Sequence, residues 1–342
     1  MLCNKSGSVL ILSFWALIIL SLLAYGVTRR VNAQIALARH QMGKVQSKYA
    51  AYAGLFYSIE RLREDLNDPR TREYDTLYEC GLSERRAPEE SWKGTTGHGS
   101  FYVARGHRQD QPGLSDETGR INLNGLNEQN YHILTELLKI LDVGERDAEE
   151  IASGVLDWKD GDSSVFSTGA EQDYYQNLSE AYDCKNRPLE SMSELRLVKG
   201  VTPEIFEKIH PYVTVYPFIG PLKINFNTAP EAVLKAVARS VAGIGTNTNQ
   251  TDADEIAEQI IKERCGSDGE WGTDDDVPVF FGLISFSATK IPIATALASF
   301  ESRRAMVVRA DIVGVDESGR VSSALTAFID TSVMGILSLR VN

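Results

Sequence analysis

The hydrophobic pattern opens with an apolar run over residues 8–28. From Val9 to Val27 no side chain is charged, and only Ser13, Ser21 and Tyr25 carry hydroxyls. At 1.5 Å per residue, about 20 such residues in a helix cross a hydrocarbon layer of roughly 30 Å. A cleaved secretory signal has a shorter apolar core and ends at a small-residue cleavage site. No Ala-x-Ala-like site follows here. Arg29 and Arg30 come next and the helical pattern continues, so the run reads as a retained membrane helix.

Beyond it, Met42, Val45, Tyr49, Tyr52, Phe56, Ile59, Leu62 and Leu66 recur at steps of three and four. This is an apolar stripe on one helical face, expected to lie against a sheet that cradles Tyr49 and Phe56. The first proline is Pro69, and Asn67-Asp68-Pro69 reads as a stop. One helix is therefore expected over residues 8–66, on the order of 90 Å long. Its half 8–28 suits lipid and its half 29–66 suits a globular head.

The remaining pattern alternates between the two periods. Residues 100–104 read as a strand, and 116–124 as a turn leading into a short one. Helices are expected over 131–141, 147–158, 189–199, 203–209, 231–241 and 254–264. Ser191 and Glu194 have capping-box spacing, Thr228 suits an N-cap, and Pro230 suits a first helical turn. Residues 213–216 read as a strand. Residues 305–312 and 321–330 form a hairpin about the turn Asp316-Glu317-Ser318-Gly319, and 332–342 add one more strand. Strand-rich flanks thus enclose helices, which points to an α+β fold with a large insertion.

The formal charge of −12 argues against nucleic acid as a partner, because phosphate binding needs a basic face. Cys3, Cys80, Cys184 and Cys265 show no zinc spacing, and buried free thiols are as compatible with them as one bridge. His40, His98, His107, His132 and His210 show no paired spacing. No Gly-x-Ser-x-Gly turn or phosphate loop occurs, so no catalytic residue is assigned and no enzyme is expected.

One loop carries possible metal chemistry. Counted from Asp160, oxygen side chains fall at places 1, 3, 5, 9 and 12, which is the spacing of an EF-hand calcium loop. The candidate ligands are Asp160, Asp162, Ser164 and Glu171, with Asp157 reaching in from the preceding helix. Val165 stands where the motif has glycine, and the alternative reading is a solvated acidic loop. A second acidic loop, with Asp268, Asp274 and Asp276, is a further calcium candidate or a plain acidic turn. Residues 224–264 carry helix-hairpin-helix-like marks, but Asp252, Asp254 and Glu255 would repel phosphate, so a packing role is expected.

Several stretches together resemble the minor pseudopilin K family of type II secretion systems. They are Gly7 ahead of the apolar run, Gly119-Arg120-Ile121-Asn122-Leu123-Asn124, Asp157-Trp158-Lys159-Asp160-Gly161-Asp162, Gly169-Ala170-Glu171 with Tyr174-Tyr175, and Asn186-Arg187-Pro188-Leu189. Glu194-Leu195, Val198-Lys199-Gly200, Tyr212-Val213-Thr214-Val215 and Ile224-Asn225-Phe226-Asn227-Thr228-Ala229-Pro230 complete the set.

The resemblance implies a pilin-like fold: a long N-terminal helix on a small antiparallel sheet, with an all-helical domain inserted. It divides the chain into a leader 1–7, helix halves 8–28 and 29–66, a sheet region 67–123 with 303–342, an inserted domain 124–216 and a second helical block 217–302. It implies cleavage after Gly7 by a prepilin peptidase, methylation of Ser8, and calcium binding in the inserted domain. The protein would sit in the bacterial inner membrane by a single pass with its head in the periplasm. There it would join I- and J-type minor pseudopilins and the major pseudopilin as the tip of a secretion pseudopilus, with no nucleic acid bound. Most pilins carry a glutamate five places into the mature chain. Here that place is Leu12, as the family's tip subunit has. Charge points the other way on orientation: Lys5 alone precedes the run, whereas Arg29, Arg30, Arg39, Lys44 and Lys48 follow it. The alternatives are a tip or minor pilin of a type IV pilus-like filament, for adhesion or DNA uptake, and a membrane-anchored helix-hairpin-helix DNA-binding protein.

Overall fold

The structure is a computed structural model that describes residues 6–67, 92–105, 108–242, 249–267, 269 and 278–341. A single helix, α1 (Ser6–Asn67), runs through both halves of the expected rod without a break at Arg29. Three hydroxyls of its apolar half are satisfied within the helix. Ser13, Ser21 and Thr28 donate to the carbonyls of Leu10, Leu17 and Ala24 at 2.8–2.9 Å. Among the described residues this is the one helix long and apolar enough to cross a membrane.

The second half of α1 lies on an antiparallel sheet. Its strands are β1 (Lys93–Thr96), β2 (Gly99–Arg105), β3 (Arg108–Pro112), β4 (Ser115–Asp116), β9 (Val307–Asp316), β10 (Ser322–Asp330) and β11 (Gly335–Val341). The order is β1-β2-β9-β10-β11, with β3 on β2 and β4 on β9. Strand β2 pairs with β9, as in Val103 opposite Ile312, so the sheet closes only around everything between them. The hairpin of β9 and β10 turns where expected, on Asp316 Oδ1, which accepts from Arg320 N–H at 2.9 Å and Val321 N–H at 2.8 Å.

The helical part carries α2 (His132–Ile140), α3 (Glu145–Lys159), α4 (Gln172–Gln176), α5 (Pro203–Ile209), α6 (Glu231–Ala242), α7 (Gln250–Arg264) and α8 (Ile291–Leu297). Two parallel pairs stitch it, β5 (Ile121–Asn122) with β6 (Val213–Thr214) and β7 (Ile224–Asn225) with β8 (Glu301–Ser302). One continuous apolar core runs from Ile121 through Leu297 and includes Val307 of β9. A separate smaller core joins Leu55 and Leu62 of α1 to Phe101, Val103, Ile312 and Leu325 of the sheet.

The face of α1 against the sheet is not the expected one. Tyr49 and Phe56 are 70% and 66% exposed, and Met42 and Val45 are exposed with them. The sheet meets Gly43, Ser47, Ala50, Ala51, Gly54, Leu55, Ser58 and Leu62 instead. Of the predicted stripe only Leu62 is fully buried, while Tyr52, Ile59 and Leu66 are half-buried at its margin. The reason is close approach. A side chain at Gly54 would stand 2.6 Å from Ile312 and 2.9 Å from Phe101, and one at Gly314 would strike the backbone of Ser47 and Ala51. A three-four periodicity of small residues is as regular as that of large ones, and here it is the one that packs.

Three local expectations also change. Residues 189–199 hold a short 3-10 turn, Met192–Leu197, rather than an α-helix. The Asn124 side chain takes both backbone groups of Leu189, accepting from its N–H at 2.8 Å and donating to its carbonyl at 2.9 Å, so a helix cannot start there. The capping box is not closed, because Glu194 Oε1 accepts from Glu190 N–H at 3.2 Å. Thr228 does not cap α6. Its hydroxyl donates to Asp116 Oδ2 at 2.6 Å, and the helix begins after Pro230.

Residues 116–124 are the junction of the molecule. Buried Asp116 also accepts from Asn225 Nδ2 at 2.9 Å and Thr118 N–H at 2.7 Å. Buried Glu117 accepts from Thr214 Oγ1 at 2.5 Å and lies 3.2 Å from Arg120 Nη1. Thr118 Oγ1 accepts from Met306 N–H at 2.7 Å, at the entry to β9. Asn122 donates to Pro217 O at 2.8 Å and Asn124 to Val215 O at 2.8 Å. Tyr216 stacks on Phe328 of β10 with ring centroids 4.2 Å apart, which seats the helical part on the sheet face opposite α1.

Gly314→Ala is expected to lower stability by about 2–4 kcal/mol, because the new methyl group meets the helix backbone, which cannot rotate away. Chemical denaturation of the head, residues 29–342, measures it, and an unchanged midpoint would refute the close helix–sheet contact.

Candidate functional site

Two features outside the packing remain: a carboxylate cluster in the helical part and the exposed stripe of α1. The cluster forms where α3 ends. Asp157 occupies the last turn of α3, Asp160 caps it, and Glu171 caps α4 after the loop. One carboxylate oxygen from each of the three lies within 4.8 Å of the others. Asp157 and Glu171 are buried and Asp160 is half-buried. Asp157 Oδ1 accepts from Phe166 N–H at 3.0 Å, but its Oδ2 and both Glu171 oxygens have no hydrogen-bond partner. A side chain at Gly169 would collide with Asp157 Oδ2, so that position keeps the space between the acids open.

Like charges held together in a dry site resist ionisation. Burial, and then the charges of Asp160 and Asp162, push the Asp157 carboxyl up to about 6. Burial, and then Asp157, Asp160 and Asp162, push Glu171 up to about 7. Burial raises Asp160 as well. Unpartnered buried carboxylate oxygens fit a hard cation with oxygen ligands. Asp162 and Ser164 do not join the three. They are exposed, and Ser164 N–H donates to Asp162 Oδ1 at 2.7 Å. Of the EF-hand places, the first and last, Asp160 and Glu171, come together in space, and Asp157 from the helix joins them. The spacing rule gave no weight to Asn186, whose Nδ2 donates to Asp162 O at 3.1 Å and whose Oδ1 has no partner. Asp268, Asp274 and Asp276 of the second acidic loop lie outside the described residues, as do Cys3 and Cys80. Cys184 and Cys265 are buried free thiols.

The second feature is the stripe Met42-Val45-Tyr49-Phe56, continuous along α1 with exposed Val31 and Ile35 below it. It faces away from the protein's own sheet. Gly7 and Ser8 lie at the start of α1. The helix-hairpin-helix-like block places its cations against its own acids. Arg239 makes two bonds of 2.7 Å to Asp254, and Arg264 donates to the carbonyls of Phe226 and Ala229 at 3.0 and 2.7 Å.

In chelator, the stability of the chain is expected to fall as pH rises from about 5 to 8. The folded chain holds protons on Asp157 and Glu171 that the unfolded chain releases near the ordinary carboxylate pKa of about 4. Glu171→Gln should flatten that fall and gain about 1–2 kcal/mol at pH 8. Thermal melts across pH measure it, and a variant with the parent's pH slope would refute the repulsion.

Comparison with known proteins places this geometry. The family described as type II secretion system (T2SS), protein K matches residues 119–218, which hold the carboxylate cluster. The type II secretion system protein K of Aeromonas hydrophila is 35% identical over 111 residues, 32% of this chain and 33% of that one. That of Klebsiella pneumoniae is 24% identical over 235 residues, 66% of this chain and 67% of that one. The matched segment spans about a third of the Aeromonas relative, and 29% of the one from Pectobacterium carotovorum. The crystal structure of the GspK-GspI-GspJ complex from enterotoxigenic Escherichia coli contains the same fold, with a TM-score of 0.54 and 18% identity over 88% of this chain and 99% of that one. Residues 119–218 thus match the type II secretion system protein K family, and the fold over most of the chain is similar to one present in that complex.

Proposed function

We propose that the chain is a non-enzymatic minor pseudopilin that stands at the tip of the secretion pseudopilus and assists export of folded proteins across the outer membrane. A prepilin peptidase cuts after Gly7, and Ser8 becomes the methylated N-terminus. The residues of α1 up to Thr28 hold the protein in the inner membrane, with the head in the periplasm. Long translocated domains cross largely regardless of flanking charge, so Arg29 and Arg30 do not fix the head on the other side. I- and J-type minor pseudopilins, and the major pseudopilin below them, are the partners.

The observation that carries this reading is the stripe of α1. A soluble single-chain protein has no use for a row of exposed Met42, Val45, Tyr49 and Phe56 on a helix whose other face is already packed. A second long helix lying alongside would bury it. The relative from enterotoxigenic Escherichia coli was solved together with GspI and GspJ, which supports the choice of partner. Leu12 fits a terminal position, because a carboxylate inside lipid needs a neighbour and a tip subunit has none above it. The ion pair of Arg239 with Asp254 and the net charge of −12 support a partner set without nucleic acid.

In this reading Asp157, Asp160 and Glu171 hold a calcium ion. The ion supplies the positive charge that the three carboxylates lack and ties the loop after α3 to the start of α4. It is a structural ion with no chemical step.

The chain co-produced with its I- and J-type partners and a prepilin peptidase should purify as a complex, with an intact mass that begins at N-methylated Ser8. Tyr49→Asp with Phe56→Asp should abolish the complex and leave the melting temperature of the head within about 2 °C, since exposed positions carry little stability. A complex that survives both changes, or a chain that keeps Met1 in the presence of the peptidase, would overturn the reading. Millimolar calcium should raise the melting temperature by several degrees and chelator should reverse it, as expected when ligand exceeds its dissociation constant about 100-fold. Equal melts with and without calcium would remove the ion from the proposal.

A further inference from the structure

The charge of the chain is divided along α1. All 47 acidic residues lie at Glu60 and beyond, with 29 of the 35 basic ones. Residues 1–59 hold Lys5, Arg29, Arg30, Arg39, Lys44 and Lys48 and no acid, so the rod is strongly positive and the head more negative than the chain as a whole. Arg29, Arg30, Arg39, Lys44 and Lys48 are all exposed, and among the described residues none is in an ion pair. Lys48 Nζ lies 6.0 Å over the Tyr52 ring.

Position decides which of these charges can meet a lipid surface. Arg29 and Arg30 follow directly on the last residue of the apolar run, Thr28. The head first touches α1 at Gly43, where Val321 and Asp316 approach to 2.9 and 3.1 Å of a side-chain position there. The intervening helix stands clear over about 20 Å. Arg39 stands about 15 Å above Arg29, and Lys44 and Lys48 stand higher still. The screening length at physiological salt is about 8 Å. An upright rod therefore brings only Arg29 and Arg30 into the phosphate layer. Asp316, at the foot of the head, approaches α1 at Gly43.

We infer that Arg29 and Arg30 bind the phosphates of anionic phospholipid headgroups. The inference rests on the membrane-anchor reading. A guanidinium pairs a phosphate with two parallel hydrogen bonds, so two adjacent arginines at this depth form a headgroup clamp. The basic residues that break the charge rule for orientation thus gain a role on the side where the head stands.

The test is native mass spectrometry of the full chain released from nanodiscs of equal parts phosphatidylglycerol and phosphatidylcholine. The retained lipid should be enriched in phosphatidylglycerol by at least about threefold, with roughly fivefold attraction expected per clamped charge near a surface. The enrichment should fall as salt is raised. Arg29→Gln with Arg30→Gln should return the ratio to near one, while Arg39→Gln with Lys44→Gln should leave it. Parity in the parent chain, or an unchanged ratio in the Arg29/Arg30 variant, overturns the inference and leaves the anchor standing. Loss of enrichment only in the Arg39/Lys44 variant overturns it too and assigns the upper charges to lipid through a tilted rod. Failure of the chain to enter nanodiscs of either lipid overturns the anchor reading and this inference with it.

Discussion

Two consecutive carboxylates, Asp116 and Glu117, sit in the interior where the sheet passes into the helical part. A buried carboxylate is tolerated only when its oxygens are met by donors in fixed places. Here the donors come from residues about a hundred positions away, Asn225 and Thr228 for the first and Thr214 for the second. Burial raises Asp116 and outweighs the hydrogen bonds that lower it. The consequence is directional. Apolar packing would allow the helical part to slide on the sheet, whereas these bonds are made in one relative orientation only. Removing one donor leaves a charge unmet, so the junction is held or lost as a unit.

That junction also explains which parts of the fold could be read from the pattern of residues. The rod, the β9–β10 hairpin and helices α2, α3, α5, α6 and α7 follow from local periodicity, and they stand within a few residues of where periodicity puts them. The short pieces do not. Leu189 and Thr228 look like helix starts, but a side chain from the junction claims each of them. A long-range hydrogen bond to Asn124 or Asp116 has no local signature. The face of α1 escaped for another reason. Hydrophobicity marks the large residues, but the tight helix–sheet contact selects the small ones at Gly43, Gly54 and Gly314. The large residues are left for some other surface.

The carboxylate cluster was legible in part. Loop spacing singled out Asp160 and Glu171, because the first and last places of such a loop are far apart in sequence and close in space. Asp157 could be reached only by placing a helix turn before the loop. The unused places Asp162 and Ser164 turn outward because Ser164 bonds Asp162 rather than a shared centre. Asn186 and Gly169 earn attention only once the coordinates bring them beside the acids. The carboxylates of this site are buried or half-buried, whereas the basic residues of α1 are exposed.

The pairing of β2 with β9 has a consequence for how the molecule is made. Just over two hundred residues separate Val103 from Ile312, its partner across the sheet. A chain that emerges from its N-terminus first presents α1 and β2 long before β9 exists. The inserted helices lie between the two strands and can assemble with one another during that interval, whereas the sheet must wait for the last segment to arrive. Until then the glycine-lined side of the rod has nothing against it. Maturation of the head is therefore ordered from the inside outward, and the final hairpin acts as the latch that closes a nearly finished body onto its own stem.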